Sequence, residues 1–141
     1  MEAASERPIA PRTGLRRSGN EKFYTRDAIA KQCVADLAKA VAIDADRDLL
    51  IEPSAGSGAF LPHLAELANC LIAIDIEPES NDVLEQDFLE WDGSQLQLPR
   101  GGKIITVGNP PFGRQSSLAL RFIKHAAKFS NCIAFILPRS F

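Results

Sequence analysis

The fold of this chain is decided by residues 104–112, which read Ile104-Ile105-Thr106-Val107-Gly108-Asn109-Pro110-Pro111-Phe112. The first part is an apolar, mostly β-branched run, which predicts a buried strand, and the two prolines predict a rigid turn at its end. Open α/β sheets bind ligands beyond the carboxyl ends of their strands. The Asn109 amide and the Phe112 ring are therefore expected at a ligand site.

This turn suits one chemical problem, the activation of an aromatic exocyclic amine. Such an amine is a poor nucleophile because its lone pair is delocalised into the ring. The Asn109 amide oxygen and the Pro110 carbonyl would accept hydrogen bonds from the NH2 group and draw its nitrogen toward sp3 geometry. The Phe112 ring would stack on the base. The alternative interpretation is a rigid strand-to-loop turn without chemistry.

Short apolar runs alternate with helical segments on the amino-terminal side of this strand and beyond it. Strands are predicted at residues 49–51, 71–74, 83–86, 103–107 and 132–137, and helices at 60–68 and 116–129. A further helix begins near an N-cap at Thr25, with Ile29, Cys33, Leu37 and Val41 on one face. The alternation predicts an α/β fold, a Rossmann-like doubly wound parallel sheet covered on both faces.

The first predicted strand runs into a glycine-rich turn, Glu52-Pro53-Ser54-Ala55-Gly56-Ser57-Gly58. Gly56 and Gly58 allow the backbone to approach a ligand closely. Glu52 is expected to order the loop and to accept a hydrogen bond from a ligand's ammonium group. Leu61 stands where a dinucleotide fingerprint has its third glycine, which argues against a nicotinamide dehydrogenase.

Acidic residues follow the next two predicted strands. Asp75 is placed to accept hydrogen bonds from ribose hydroxyls, and Ile76 to pack on an adenine face. Asp87 is a candidate acceptor for an exocyclic amine, with Phe88 as an apolar wall beside it. The ordered set of glycine turn, acid, acid with aromatic, and Asn-Pro-Pro-aromatic predicts one composite site at the strand ends.

Composition restricts the class of protein. The net charge of -2 gives no bulk affinity for nucleic acid, so polyanion binding requires a local basic patch. Residues 1–20 are predicted to be a flexible basic arm, whose arginines either contact phosphates or are solvated. The three cysteines have no Cys-x-x-Cys spacing and predict buried free thiols and no metal site. Neither a membrane span nor a signal peptide is recognisable, which predicts an intracellular protein, cytoplasmic or nuclear, without a membrane partner.

These residues resemble the class I S-adenosylmethionine-dependent methyltransferases, and within them the amino-methyltransferases with an (Asn/Asp/Ser)-Pro-Pro-(Tyr/Phe/Trp) motif. The resemblance covers about residues 23–141 and rests on Phe23-Tyr24-Thr25, the glycine turn, Asp75-Ile76-Glu77-Pro78, Asp87-Phe88 and Asn109-Pro110-Pro111-Phe112. It implies S-adenosyl-L-methionine as cofactor, with Phe23, Tyr24 and Thr25 near its carboxylate, the glycine turn along its methionine half, Asp75 on the ribose and Asp87 on the adenine amine. It also implies that Asn109, Pro110, Pro111 and Phe112 hold the target amine.

The resemblance further implies strand order 3-2-1-4-5, followed in the family by a hairpin of a sixth and a seventh strand. This chain stops where the fifth strand should end. We therefore expect a methyltransferase domain at residues 21–141 that is incomplete at its C-terminus. A protein partner, or self-association through the exposed fifth strand, is expected to follow from this.

The order of the motifs resembles the N6-adenine branch, which implies a methyltransferase acting on adenine in DNA or RNA. The same motif serves other planar amines, namely protein glutamine N5 and the N2 amine of guanine in RNA, and these alternatives stay open. An alternative from another class is a non-catalytic cofactor-binding scaffold.

Overall fold

The computed structural model describes residues 24–141, so the predicted basic arm and Phe23 lie outside the described residues. The described part contains five strands and three α-helices, joined in places by short 3₁₀ turns. The strands are β1 (Leu49–Glu52), β2 (Cys70–Asp75), β3 (Leu84–Glu85), β4 (Ile104–Gly108) and β5 (Cys132–Phe135), and the helices are α1 (Asp27–Ala40), α2 (Leu61–Ala65) and α3 (Ser117–Ala126).

All strand pairs are parallel, and the sheet order is β3-β2-β1-β4-β5. This confirms the predicted Rossmann-like α/β fold and its strand order. The central strands β1 and β4 are buried along their whole length, as their apolar runs predict. Their pairing aligns Leu50 with Ile105 and Ile51 with Thr106.

Successive side chains of each strand point to opposite faces, so the sheet supports two separate cores. On one face, Leu50 and Ile105 pack with Val34 of α1 and Leu64 of α2. On the other, Ile51 and Ile104 pack with Phe122 of α3 and with Phe88. Burial of an apolar side chain of this size contributes about 1.5–3 kcal/mol. The sheet is thus covered on both faces, as a doubly wound sheet requires.

Helix α1 differs from the prediction at its start and in its buried face. The N-cap position is Arg26, which makes no side-chain capping bond, so the predicted cap at Thr25 is wrong. Ile29 is 49% exposed, while Ala30, Val34 and Leu37 are buried. Of the predicted face, Leu37 is buried, and Cys33 and Val41 pack against the same core while partly buried, so the prediction is wrong for Ile29.

The connection from β3 to β4 contains 3₁₀ turns at Phe88–Glu90 and Gly93–Gln95 and no α-helix. Each turn is capped by an aspartate, since Asp87 accepts from the Leu89 N–H at 2.9 Å and Asp92 from the Ser94 N–H at 2.9 Å. Such local side-chain bonds compete with longer helices.

Some sequence expectations concern the surface. The cysteines at 33, 70 and 132 are all free thiols, as predicted, but Cys33 and Cys132 are half-buried and Cys70 is exposed, so the expectation of buried thiols is wrong. Strand β5 forms one edge of the sheet. None of the helices in the described range is long and apolar enough to cross a bilayer.

Candidate functional site

A cavity of about 740 Å³ lies at the carboxyl ends of β1, β2 and β4. This volume is in the range of small-molecule and cofactor sites. The structure brings most of the predicted site residues together around it: Tyr24, Thr25, Glu52, Gly56, Asp75, Ile76, Asp87, Phe88, Asn109, Pro110 and Pro111 all line the cavity.

Two predicted residues do not line the cavity. Gly58 has φ +90° and donates its N–H to the Ala55 carbonyl at 2.7 Å, so it shapes the turn that leads into α2. Phe112 accepts the N–H of Leu118 at 3.0 Å on its backbone carbonyl and thereby joins the motif to α3. The stacking role of its ring stays a prediction.

The glycine turn is fastened to the end of β2 by one carboxylate. Gly56, with φ +55°, donates its N–H to Asp75 Oδ2 at 2.7 Å, and Glu77 donates its N–H to Asp75 Oδ1 at 2.7 Å. Asp75 is therefore oriented by backbone amides at the edge of the cavity that it lines.

Glu52 lies in the floor of the cavity and is 2% exposed. Burial raises the pKa of its carboxyl to about 8; the Ser54 N–H bond at 2.9 Å opposes this rise, and nearby Asp75 adds to it. A Cβ on Gly108 would lie 2.6 Å from Glu52 Oε1, so only glycine leaves room for this carboxyl at the end of β4. A cation placed beside Glu52 would favour its ionised form.

Asn109 is held at two points. Its side-chain Nδ2 donates to Thr25 Oγ1 at 3.1 Å, and its backbone carbonyl accepts from Ser54 Oγ at 3.1 Å. Its Oδ1 is buried and has no hydrogen-bond partner within residues 24–141. A buried polar atom without a partner costs about 1–3 kcal/mol. The amide is thus oriented through Nδ2, and Oδ1 is left as a buried acceptor in a residue that lines the cavity.

The acid and aromatic residue after β3 have mixed roles. Asp87 Oδ1 accepts from the Leu89 N–H, so Oδ2 is the oxygen left for a ligand amine. Phe88 is 1% exposed and belongs mainly to an aromatic cluster, with its ring centroid 5.2 Å from that of Phe122 and 5.0 Å from that of His125. It lines the cavity as part of the core.

The first described residues bridge two sides of the site. Tyr24 donates its hydroxyl hydrogen to Glu79 Oε2 at 2.8 Å, in the loop after β2, and Thr25 contacts Asn109 after β4. The Thr25 hydroxyl thus accepts a hydrogen bond from the Asn-Pro-Pro-Phe motif, a contact that the sequence did not predict.

Sequence reasoning missed several residues that line the cavity, among them Ser54, Arg114, Ser117 and Arg121. Ser117 and Arg121, four residues apart, lie on one face of α3, and Arg114 lies in the 3₁₀ turn that precedes it. A signal for the arginines was present in the sequence, since no Asp or Glu follows Asp92, whereas seven lysines and arginines do.

Comparison with known proteins gives one partial relationship. No protein-family model matches the chain. The chain is similar to ribosomal RNA small subunit methyltransferase A of Acidobacterium capsulatum, with 31% identity over 100 residues, covering 62% of this chain. The matched region is 35% of the relative, so the chain spans about a third of that protein's length. Together with the sheet order, this similarity supports a class I S-adenosylmethionine-dependent methyltransferase.

Proposed function

We propose that the chain transfers a methyl group from S-adenosyl-L-methionine to the N6 amine of adenine in RNA or DNA. The observation that carries the proposal is the buried, unpartnered Asn109 Oδ1 beside the same cavity that Gly56 and Asp75 line. An amide oxygen in that state is the acceptor that a planar amine would satisfy.

The residues of the cavity fit this cofactor. Asp75 offers carboxylate oxygens for ribose hydroxyls, and Asp87 Oδ2 is available for the adenine amine. Glu52 would contact the ammonium group of the cofactor. The positive charge of that group would favour the ionised form of the Glu52 carboxyl. The bend at Gly56 lets the backbone approach the methionine half.

The chemistry assigned to the protein is positioning and hydrogen-bond acceptance. When bound, S-adenosylmethionine supplies an electrophilic methyl group on its sulfonium. Asn109 Oδ1 and the Pro110 carbonyl accept the two amine hydrogens and hold the nitrogen lone pair toward the cofactor side of the cavity. The amine becomes acidic only after it attacks, so no strong general base is required. The base must leave its stack to reach these groups.

An assay of transfer with product identification tests this proposal. Radiolabelled S-adenosylmethionine is incubated with the chain and with RNA, DNA or a glutamine-containing peptide, and the products are digested and identified by mass spectrometry. We expect N6-methyladenine in nucleic acid. Label found only in guanine or in the peptide would overturn the adenine assignment.

Asn109→Ala is the matching variant. We expect it to lower turnover about 100-fold or more, because the acceptor bond acts on the reacting amine. Cofactor affinity, measured by calorimetry, should stay within a few-fold. The exposed Asn81→Ala is the control and should leave both unchanged. An Asn109→Ala protein that keeps most of its turnover would contradict the role of Asn109.

A further inference from the structure

The charges of this chain are divided along its length. All 18 acidic residues lie within residues 1–92, and residues 93–141 contain only basic charges. The acid-free part includes β4, the Asn-Pro-Pro-Phe motif, α3 and β5. A strong charge asymmetry of this kind points to a polyanionic partner for the basic part.

Four of these cations form what we name the α3 basic stripe: Arg114, Arg121, Lys124 and Lys128. All four are exposed. Arg121, Lys124 and Lys128 are spaced by three and four residues, which places them on one side of α3 and its C-terminal turn. Arg114 lies in the 3₁₀ turn before α3 and lines the same cavity as Arg121. The opposite side of α3 is buried through Ala119, Phe122 and Ala126. From Arg121 to Lys128 the stripe extends about 10 Å at 1.5 Å per helical residue.

The stripe is not neutralised by the described protein. Within residues 24–141, the basic partners of ion pairs are Arg47, His63 and Lys103, and none of the four stripe residues is among them. An isolated exposed cation is ordinary, but four along α3 and the turn before it, none of them ion-paired with a described carboxylate, form a local positive field.

The position of the stripe connects it to the site. Arg114 and Arg121 line the cavity that Asn109 lines, whereas Lys124 and Lys128 do not. The stripe therefore leads from the mouth of the cavity outward along α3. A chain of phosphates on the stripe would place one of its bases at the cavity.

We propose that the α3 basic stripe binds the phosphodiester backbone of a single-stranded RNA and guides it to the cavity. This inference rests on the proposed function and names its substrate class. A single strand fits, because its bases are already free to enter the cavity. RNA is chosen over DNA because the similar protein from Acidobacterium capsulatum is named a ribosomal RNA methyltransferase. A glutamine side chain as substrate would make no use of aligned cations.

The test compares two double variants with equal changes in charge. Lys124→Gln with Lys128→Gln removes the outer half of the stripe without touching the cavity. Lys31→Gln with Lys39→Gln removes two exposed lysines from α1, on the other face of the sheet. Binding of fluorescent oligoadenylate RNA is measured by anisotropy over a series of salt concentrations, and cofactor binding by calorimetry.

We expect the stripe variant to bind the RNA about tenfold or more weakly at low salt. Its slope of log K against log salt should fall by about 1.4, since each phosphate contact of a single strand contributes about 0.7. The α1 variant should stay within about twofold, and cofactor affinity should be unchanged in both.

Several results would overturn the inference: equal weakening in both variants, an unchanged salt slope in the stripe variant, or tighter binding of oligodeoxyadenylate or poly-glutamate than of RNA. The two proposals fail separately. RNA binding that depends on the stripe, without methyl transfer, would refute the proposed reaction and support RNA binding by the α3 basic stripe. Methyl transfer to RNA that is insensitive to the stripe variant would refute the stripe alone.

Discussion

At the scale of single residues, Asn109 and Thr25 form the least expected pair in the site. The sequence placed Thr25 as a helix cap and as a neighbour of the cofactor, but its hydroxyl accepts a hydrogen bond from Asn109 Nδ2. No local pattern predicts a contact between residues 84 positions apart. The bond orients the amide so that Oδ1, not Nδ2, is the atom left without a partner.

Thr25→Val removes this acceptor and keeps the shape of the side chain. Because the amide is then free to turn, we expect kcat to fall about tenfold, a loss typical of one hydrogen bond. The KM for nucleic acid should change little, and Thr25→Ser should restore most of the turnover. Steady-state kinetics on the three proteins checks this. If the valine variant retains full kcat, Thr25 does not position Asn109.

The raised pKa of Glu52 predicts how the free energy of unfolding depends on pH. Its pKa is raised from 4.5 to about 8 in the folded protein, so the folded state keeps this proton in a range where the unfolded state has lost it. Stability should therefore fall as pH rises from about 4.5 to about 8 and change no further above that. The total loss is on the order of a few kcal/mol.

Glu52→Gln should remove most of this pH dependence, because the amide does not titrate. Urea denaturation between pH 5 and 9 measures it, in roughly unit steps across the window set by the two pKa values. The exposed Glu66→Gln serves as the control and should retain the slope of the unaltered protein. Equal slopes for the Glu52 and Glu66 variants would show that Glu52 is already ionised in the fold.

At the scale of elements, the strands were the most predictable part of the chain. The apolar runs of β1, β2 and β4 locate them to within about one residue at each end, because a buried parallel strand must be apolar throughout. The sequence signal for strand β3 was weaker than for the other strands. Of the predicted residues 83–86, only Leu84–Glu85 form the strand, which pairs with β2. The boundaries of the helices were less predictable, since α1 packs by a stripe that tertiary contacts select, and Asp87 and Asp92 cap 3₁₀ turns locally.

The candidate site was predictable where it follows a strand end and unpredictable where it depends on a helix face. Asp75 and Asn109 line the cavity because parallel strands deliver their last residues to one edge. Arg121 reaches it through the direction of α3 and Arg114 through the 3₁₀ turn before it, and the sequence specifies neither. Phe112 and Gly58 do not line the cavity, and each makes a backbone hydrogen bond in the turn that it occupies, while their roles toward a ligand stay predictions.

Gly108, the last residue of β4, lies against the buried Glu52 carboxyl. A Cβ there would lie 2.6 Å from Glu52 Oε1 and 2.9 Å from its Cδ, so Gly108→Ala should destabilise the fold by about 1–3 kcal/mol. Shortening the opposing side chain should relieve the clash. We expect Gly108→Ala combined with Glu52→Asp to be more stable than Gly108→Ala alone, as measured by thermal denaturation. Additive effects of the two substitutions would contradict direct contact.

At the scale of the whole molecule, two regions of opposite charge meet at one cavity. Glu52, Asp75 and Asp87 line it from the acidic part of the chain, and Arg114 and Arg121 from the acid-free part. This division matches the two ligands of the proposed reaction. Hydroxyl, amine and ammonium donors of the cofactor suit the carboxylates, and the phosphates of the nucleic acid suit the arginines.

The edge of the sheet at β5 is a place where another chain can pair with this protein. β5 is an apolar, half-buried strand that pairs with β4 on one side, and within residues 24–141 no strand pairs with its other side. An unpaired edge strand is a template for pairing with another chain. Self-association through this strand remains a proposal.

Direct binding of the cofactor tests the central claim, that this cavity is an S-adenosylmethionine site. Calorimetric titration of the chain with S-adenosylmethionine and, separately, with NAD should show binding of the first alone. Asp75→Ala should weaken that binding about ten- to a hundredfold, the effect of losing a charge-assisted hydrogen bond of about 1.5–3 kcal/mol. Circular dichroism of the variant verifies that its fold is intact. Binding of NAD in place of S-adenosylmethionine, or an affinity unchanged in a folded Asp75→Ala protein, would contradict the account.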